Sequence, residues 1–215
     1  MELYKYPRSP HLPWSPGATS DDKFISSADL QKLKNAPQFV VTEKMDGGNL
    51  TFYKDAFHGR SKDSGTHAWD TAAKALWASV RFMIPEGWRV SGESMYARRS
   101  VAYDELPGVY LIFGAWDENN NALDWDTVVS LAEEMNVPTV PLIYRGDSWD
   151  DAINAWSLSG RNESFSEGFV VRNSSSFHYD DFSKNLAKYV RADHVQTAAD
   201  WRHRDDFAVN GFVRN

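Results

Sequence analysis

Along the chain, hydrophobic and polar positions fall into short alternating runs separated by turn residues, interrupted by stretches in which apolar residues recur every three or four positions. From Gln38 to Ser61 the segments PQFVVTEK, NLTFYKD and AFHGRS read as two or three successive strands. They are joined by the glycine-rich turn Asp46-Gly47-Gly48 and by a second turn near Asp55. Residues 67–84 place Trp69, Ala73, Leu76, Trp77, Val80 and Ile84 on one face at helical spacing, which predicts a core-covering helix. Residues 27–33 read as a short helix with a serine cap, 126–136 as an amphipathic helix begun by an aspartate, and 149–158 as a further helix. Strand patterns return at 88–91, 109–116, 139–144, 168–172 and 186–191. Hairpins mixed with isolated helices predict an α+β fold with mainly antiparallel sheets flanked by helices, rather than regular βαβ alternation.

Ahead of these elements, Pro7, Pro10, Pro13, Pro16 and Gly17 interrupt any periodicity and predict an extended, turn-rich arm. The arm is expected to pack on the domain through Leu12 and Trp14, with a substrate contact by Arg8 or His11 as the alternative. At 215 residues the chain is long enough for one sizeable core, so residues 1–215 are read as one domain, with 1–37 as arm and short helix.

Composition narrows the chemistry. The 42% hydrophobic and 25% charged residues are those of a soluble globular protein. A net charge of −7 excludes a surface that attracts nucleic acid all over, so any polyanion must meet a local basic patch. Arg60, Lys62, Arg98, Arg99 and Arg172 are the candidates for it. With no cysteine, disulfides, zinc–thiolate sites and thiol nucleophiles are excluded. The six histidines show no metal-site spacing, and no Gly-x-x-x-x-Gly-Lys-Ser/Thr loop is present. The N-terminus lacks the apolar core of a signal peptide and no apolar run reaches the roughly 20 residues of a membrane span, so a cytoplasmic protein without membrane contact is expected.

One turn carries more than turn chemistry needs. Lys44 stands two residues before Asp46, with Glu43 beside it. A lysine attacks phosphorus only when neutral, and its ordinary pKa near 10.4 leaves less than about 1% neutral at pH 7. Glu43 and Asp46 alone would hold the proton on, so a reactive Lys44 requires basic residues from elsewhere, a metal ion, or both to converge on it.

Downstream stand Arg60-Ser61, Ser91-Gly92-Glu93, Phe113 in an apolar strand, Glu167-Gly-Phe-Val-Val-Arg172, and Lys188-Tyr-Val-Arg191. With Lys44-Met-Asp-Gly47 this series, over residues 38–191, resembles in order the motifs of the covalent nucleotidyltransferase superfamily of ligases and mRNA capping enzymes. Within it the chain is most similar to the small phage-type ATP-dependent RNA ligases. The resemblance implies a nucleotidyltransferase domain, an ATP-grasp-like ligase adenylation fold. It also implies joining of RNA 5′-phosphate and 3′-hydroxyl ends through a covalent lysyl-AMP on Lys44 and an adenylylated RNA end.

Residue by residue, the resemblance implies that Glu93 accepts from the ribose, Phe113 and Val170 flank the adenine, and Glu43 meets the purine edge. Asn49 matches the asparagine of RNA-ligase versions of the motif, and Arg60 a residue that positions phosphate or a nucleic-acid end. Asp46 and Glu167, with Glu93, are the implied anchors for Mg²⁺ or Mn²⁺, and Lys188 the implied α-phosphate contact. The family's second lysine is replaced: Val190 stands there, with Arg191 one further on. Because alternate strand residues face opposite sides, Lys188 and Arg191 cannot both point inward from a regular strand; a bulge or a single contributing cation would follow, with Arg172 or Lys184 as candidates for the second. The implied partners are RNA ends, with DNA or RNA/DNA hybrids open, and a monomer is expected, located in the host cytoplasm if phage-encoded. The 24 residues after Arg191 leave no room for the OB domain common in relatives, so a stand-alone adenylation domain is expected, with a short helix over 194–201. A DNA ligase, a capping-type guanylyltransferase and a non-catalytic nucleotide- or RNA-binding module of the same fold remain the alternatives.

Overall fold

The computed structural model describes residues 2–61, 67–160, 166–192 and 208–213. Its elements follow in the order α1 (Ser27–Lys34), β1 (Phe39–Lys44), β2 (Gly48–Tyr53), β3 (Phe57–Gly59), α2 (Thr71–Val80), β4 (Arg89–Ser94), β5 (Tyr110–Trp116), β6 (Asn121–Ala122), α3 (Trp125–Glu134), β7 (Leu142–Gly146), α4 (Trp149–Leu158), β8 (Gly168–Asn173), β9 (Phe177–His178), α5 (Phe182–Asn185) and β10 (Leu186–Val190). They form two sheets, ordered β10-β8-β1-β7 and β3-β2-β4-β5-β6-β9. All pairings between these strands are antiparallel, the α+β arrangement that the alternation predicts.

Period-two alternation gives the first sheet two unlike faces. Phe39, Val41, Phe169, Val171 and Ala187 are buried with Leu12, Ile25 and Leu33 on one side, under Ala152 and Trp156 of α4. On the other side the register places Thr42, Val170 and Lys188 in one row, and these line a cavity together with Lys44 and Arg172. In the second sheet Leu50, Phe52, Val90, Tyr110 and Ile112 form the larger core with α2 and α3. Phe52 and Tyr110 stack there at 4.1 Å, and the Tyr110 hydroxyl is shared between the Leu50 and Val90 carbonyls at 3.0 and 3.1 Å. That bond spans β2 and β4 and satisfies the polar end of a wholly buried ring.

Several expectations shift. Only Ala73, Val80 and Ile84 of the expected face at 67–84 are buried, whereas Trp69 is half-buried beside the cavity. Trp69 falls in a 3₁₀ turn, Ala68–Asp70, whose tighter winding rotates it off the stripe that α2 continues. α3 begins earlier than expected: the cap is Asp124, which accepts from Thr127 N at 3.0 Å, while Asp126 is bound by Arg145 at 2.5 and 2.7 Å. The strand expected at 139–144 is divided. Val140 N donates to Ile112 O at 2.9 Å in the second sheet, and β7 belongs to the first, so the chain changes sheets at Pro141. β6, β9 and α5 are each too short for a periodic signal. Leu12 is buried as expected, whereas Trp14 is 44% exposed. The helix expected over 194–201, Lys62, His194 and His203 lie outside the described residues. Among the described residues no helix is long and apolar enough to cross a membrane.

Gly168 joins β8 to β10 at φ +151°, and a Cβ there would lie 2.0 Å from the Tyr189 carbonyl oxygen. Gly168→Ala is expected to destabilise the fold by roughly 2–4 kcal/mol, since strain and overlap must both be relieved by parting these strands. Urea unfolding measures this, and an unchanged midpoint would mean the strand pair yields without cost.

Candidate active site

Lys44 is the last residue of β1, so its backbone is held by the sheet while its side chain reaches beyond the strand end. Antiparallel pairing sets Lys44 opposite Gly168, which brings Glu167, distant in sequence, to 2.6 Å from Lys44 Nζ. The turn that follows is pinned on both sides. Val101 N donates to Asp46 Oδ2 at 2.8 Å, and Asp46 N donates to the Tyr103 hydroxyl at 3.0 Å. At Gly47 a Cβ would stand 2.5 Å from Ser94 O and 2.7 Å from Glu93 Cγ, so glycine is what allows the turn to lie against β4. β2 then pairs with β4 so that Asn49 faces Glu93.

These elements enclose a cavity of about 960 Å³, the size of a small-molecule site. Lys44, Glu43, Asp46, Asn49 and Glu93 line it, as do Arg60, Phe113, Glu167, Val170, Arg172 and Lys188. The half-buried state of Lys44, Glu93, Phe113, Val170 and Lys188, on strands whose other residues are mostly buried, marks the side chains that face this space. Among the described residues the buried Asn49 Oδ1 has no hydrogen-bond partner, an acceptor left open beside the cavity.

Arg191 does not line the cavity. Its Nε donates to Ser166 O at 2.9 Å and its Nη1 to Ala192 O at 3.1 Å, because it lies one residue past β10 and three from Lys188, on the other side of the strand direction. Lys184 pairs with Asp181 instead, and it too is absent from the lining. Arg172 does line the cavity, but its Nη2 and Nε donate to the Leu123 and Asn173 carbonyls at 2.8 and 3.0 Å. Burial lowers its pKa to about 10, which leaves it cationic at neutral pH.

The electrostatics correct one expectation. Burial pulls the Lys44 pKa down, but Glu167, Glu93 and Asp46 outweigh it and the net direction is upward. Lys188 carries the depressed value, through burial first and the Lys44 charge second. Burial pushes the Glu93 carboxyl up to about 7, against the opposing pull of Lys44 and Arg99. Lys44 is therefore an ammonium at neutral pH, clamped by carboxylates.

Sequence reasoning missed part of the wall. Lys5, Tyr6 and Ser9 line the cavity along with Arg8, and Tyr6 packs edge-on to Phe113 at 4.9 Å. Trp69 lines it as well, stacked on His67 at 4.4 Å, and so does Arg99, one of the expected basic-patch residues. Nothing in local pattern marks Lys5, Tyr6 or Ser9 as cavity wall.

Among the described residues no group of three or more His, Asp or Glu side chains forms a metal cage. Asp46 is bound by a backbone amide and Glu167 by Lys44. The donor set fits a hydrated Mg²⁺ or Mn²⁺ that takes one or two carboxylates and completes its shell with water and phosphate oxygens, the habit of small hard cations.

Known proteins share this fold. Solved structures of similar fold include a point-mutant form of the Naegleria gruberi RNA ligase with ATP and Mn, at TM-score 0.54 and 19% identity over 83% of this chain and 57% of that one. The same organism's RNA ligase with PPi matches at TM-score 0.56 and 19% identity, covering 95% and 64%. A chain assigned as an ATP-dependent DNA ligase from Aquifex aeolicus matches at 0.57 and 18%, covering 88% and 50%. At these identities the likeness is one of fold, and this chain spans 50–64% of the length of those structures. No curated sequence matches. A family model described as RNA ligase matches residues 37–190, from just before β1 to the last residue of β10. Since that match covers well over half of the chain and every strand around the cavity, the chain belongs to the RNA ligase family.

Proposed function

We propose that the protein is an ATP-dependent RNA ligase that works through a covalent adenylate on Lys44. The observation that carries this reading is Lys44 Nζ at 2.6 Å from Glu167, inside a cavity that also presents Glu93, Phe113 and Lys188. Phe113 and Val170 supply apolar surface for a purine, with Glu43 near its edge. Glu93, when ionised, accepts from the ribose hydroxyls, and the open Asn49 Oδ1 offers a further acceptor. Arg60 and Lys188 face phosphate.

Lys44 must give up its proton before it attacks, and Glu167 Oε2 is the acceptor in reach. The amine nitrogen then bonds to the α-phosphorus while the bond from that phosphorus to the pyrophosphate oxygen breaks. Lys188 stabilises the charge that develops on the α-phosphate oxygens. A divalent ion held at Asp46, Glu93 or Glu167 would supply neutralisation of the phosphates. The adenylate next passes to an RNA 5′-phosphate, and attack by a 3′-hydroxyl forms the phosphodiester and releases AMP.

Intact-mass measurement after incubation with ATP and Mg²⁺ or Mn²⁺ is expected to show one adenylate adduct, and sealing assays on RNA and DNA ends then report the substrate. Adduct formation should quicken as pH rises from 6 to 8, because the neutral fraction of Lys44 and the ionised fraction of Glu93 both grow. Labelling from GTP alone would point to a guanylyltransferase, and no adduct from either nucleotide to a binding module.

A further inference from the structure

The arm that precedes the family-matched stretch is built into the cavity wall at Lys188. Leu12 N donates to Lys188 O at 2.8 Å and Lys188 N to Pro10 O at 2.9 Å, a parallel bridge that ties the arm to β10. It then turns back on itself: His11 N donates to Lys23 O at 2.7 Å and Ile25 N to His11 O at 2.8 Å. This return carries Asp22 to the Lys188 side chain, with Oδ1 at 3.6 Å from Nζ.

Asp22 is held for that contact. Its Oδ2 accepts from Thr19 N and Oγ1 at 3.1 and 3.0 Å, which leaves Oδ1 turned toward Lys188 and toward His11 Nε2 at 3.4 Å. His11 is 1% exposed and fixed through Nδ1 to Ser15 Oγ at 2.8 Å, and Ser15 Oγ accepts from Val190 N at 2.9 Å. Burial and the Lys188 charge lower the His11 pKa to about 4, so at neutral pH it is uncharged and does not compete as a cation for Asp22. On its other sides Lys188 meets the charges of Lys44 and Arg60, which repel it, and of Glu167, which attracts it. Asp22 offsets that repulsion from outside the cavity.

We infer that Asp22 is a positioning residue of the nucleotide site, holding the Lys188 ammonium where it meets the phosphate of a bound nucleoside monophosphate unit. The arm is then a working part of the site. This rests on the proposed role of Lys188 as a phosphate contact. The experiment is calorimetric titration of the full chain with AMP, and separately with adenosine, which lacks the phosphate.

Asp22→Asn is expected to weaken AMP binding roughly tenfold, the coupling expected between charged groups in contact, and to leave adenosine within about twofold. Lys188→Ala should lose AMP affinity likewise, Asp22→Asn added to it should lose no more, and Asp22→Glu should recover most of the binding. If Asp22→Asn does not melt cooperatively, Thr19→Val, which removes only the hydroxyl that fixes Oδ2, should give a smaller loss selective for AMP. Equal losses for AMP and adenosine, no loss at all, or a loss that persists in the Lys188→Ala background would overturn the inference while leaving the ligase reading intact. Failure of the unmodified chain to bind AMP would overturn both.

Discussion

Lys44→Ala is expected to reduce adenylate formation by at least about 10⁴-fold, the scale on which loss of a covalent nucleophile acts. It should also reveal what the lysine does at rest. Glu167, 7% exposed, loses the ammonium 2.6 Å away and is left close to Glu93 and Asp46. Removing one partner of a mostly buried pair strands the other charge, at a cost of several kcal/mol when burial is complete. Lys44 is 24% exposed, so about 1–3 kcal/mol is the expected loss at pH 8, shrinking at pH 5, where Glu93 holds its proton. Lys44→Arg separates the two roles. A guanidinium can pair with Glu167 yet stays protonated, so this variant should be equally inactive but close to the native chain in stability. Intact mass and urea unfolding at the two pH values report both effects; an adduct on Lys44→Ala would place the nucleophile elsewhere.

Glu93→Gln is expected to make the protein more stable and less active. The folded carboxyl titrates at about 7, above the ordinary value of 4.5. Between those values the unfolded chain sheds a proton that the folded chain keeps, so stability present below pH 4.5 is lost as pH rises through 7. Glutamine has no proton to shed. The variant should therefore exceed the native chain by on the order of 2 kcal/mol at pH 8 and match it at pH 4.5. Adenylate formation should fall by roughly 10–100-fold, because a neutral amide accepts from the ribose less strongly than a carboxylate. Denaturant unfolding at the two pH values checks the sign, and a variant weaker than native at pH 8 would mean that Glu93 stabilises the fold as an anion.

Much of this architecture is legible in one dimension because it is local. The alternation in FVVTEK, NLTFY and GFVVR reports which side chains meet the core, and the β2–β3 hairpin follows from the turn near Asp55. The resemblance carried by Lys44, Glu93, Glu167 and Lys188 suffices to propose a site. Trp69 was misplaced because a 3₁₀ turn rotates it away from a helical stripe, and the strand at 139–144 because one segment is divided between two sheets. The arm's place in the cavity wall rests on hydrogen bonds between residues 10–17 and 188–190, which no local pattern contains.

The chain by itself determined most of the strands and their two faces, which depend on neighbours within a few residues, and singled out the lysine in TEKMDGGN through the ordered series that runs on to Lys188. Tertiary structure decided the state of that lysine. It set Lys44 opposite Gly168 so that Glu167 clamps the ammonium, turned Arg191 away, and brought Asp22 around to Lys188. The reason is the range of the forces: side-chain alternation is fixed by adjacent backbone dihedrals, whereas a pKa sums charges and burial from every element that folding brings within a few ångströms.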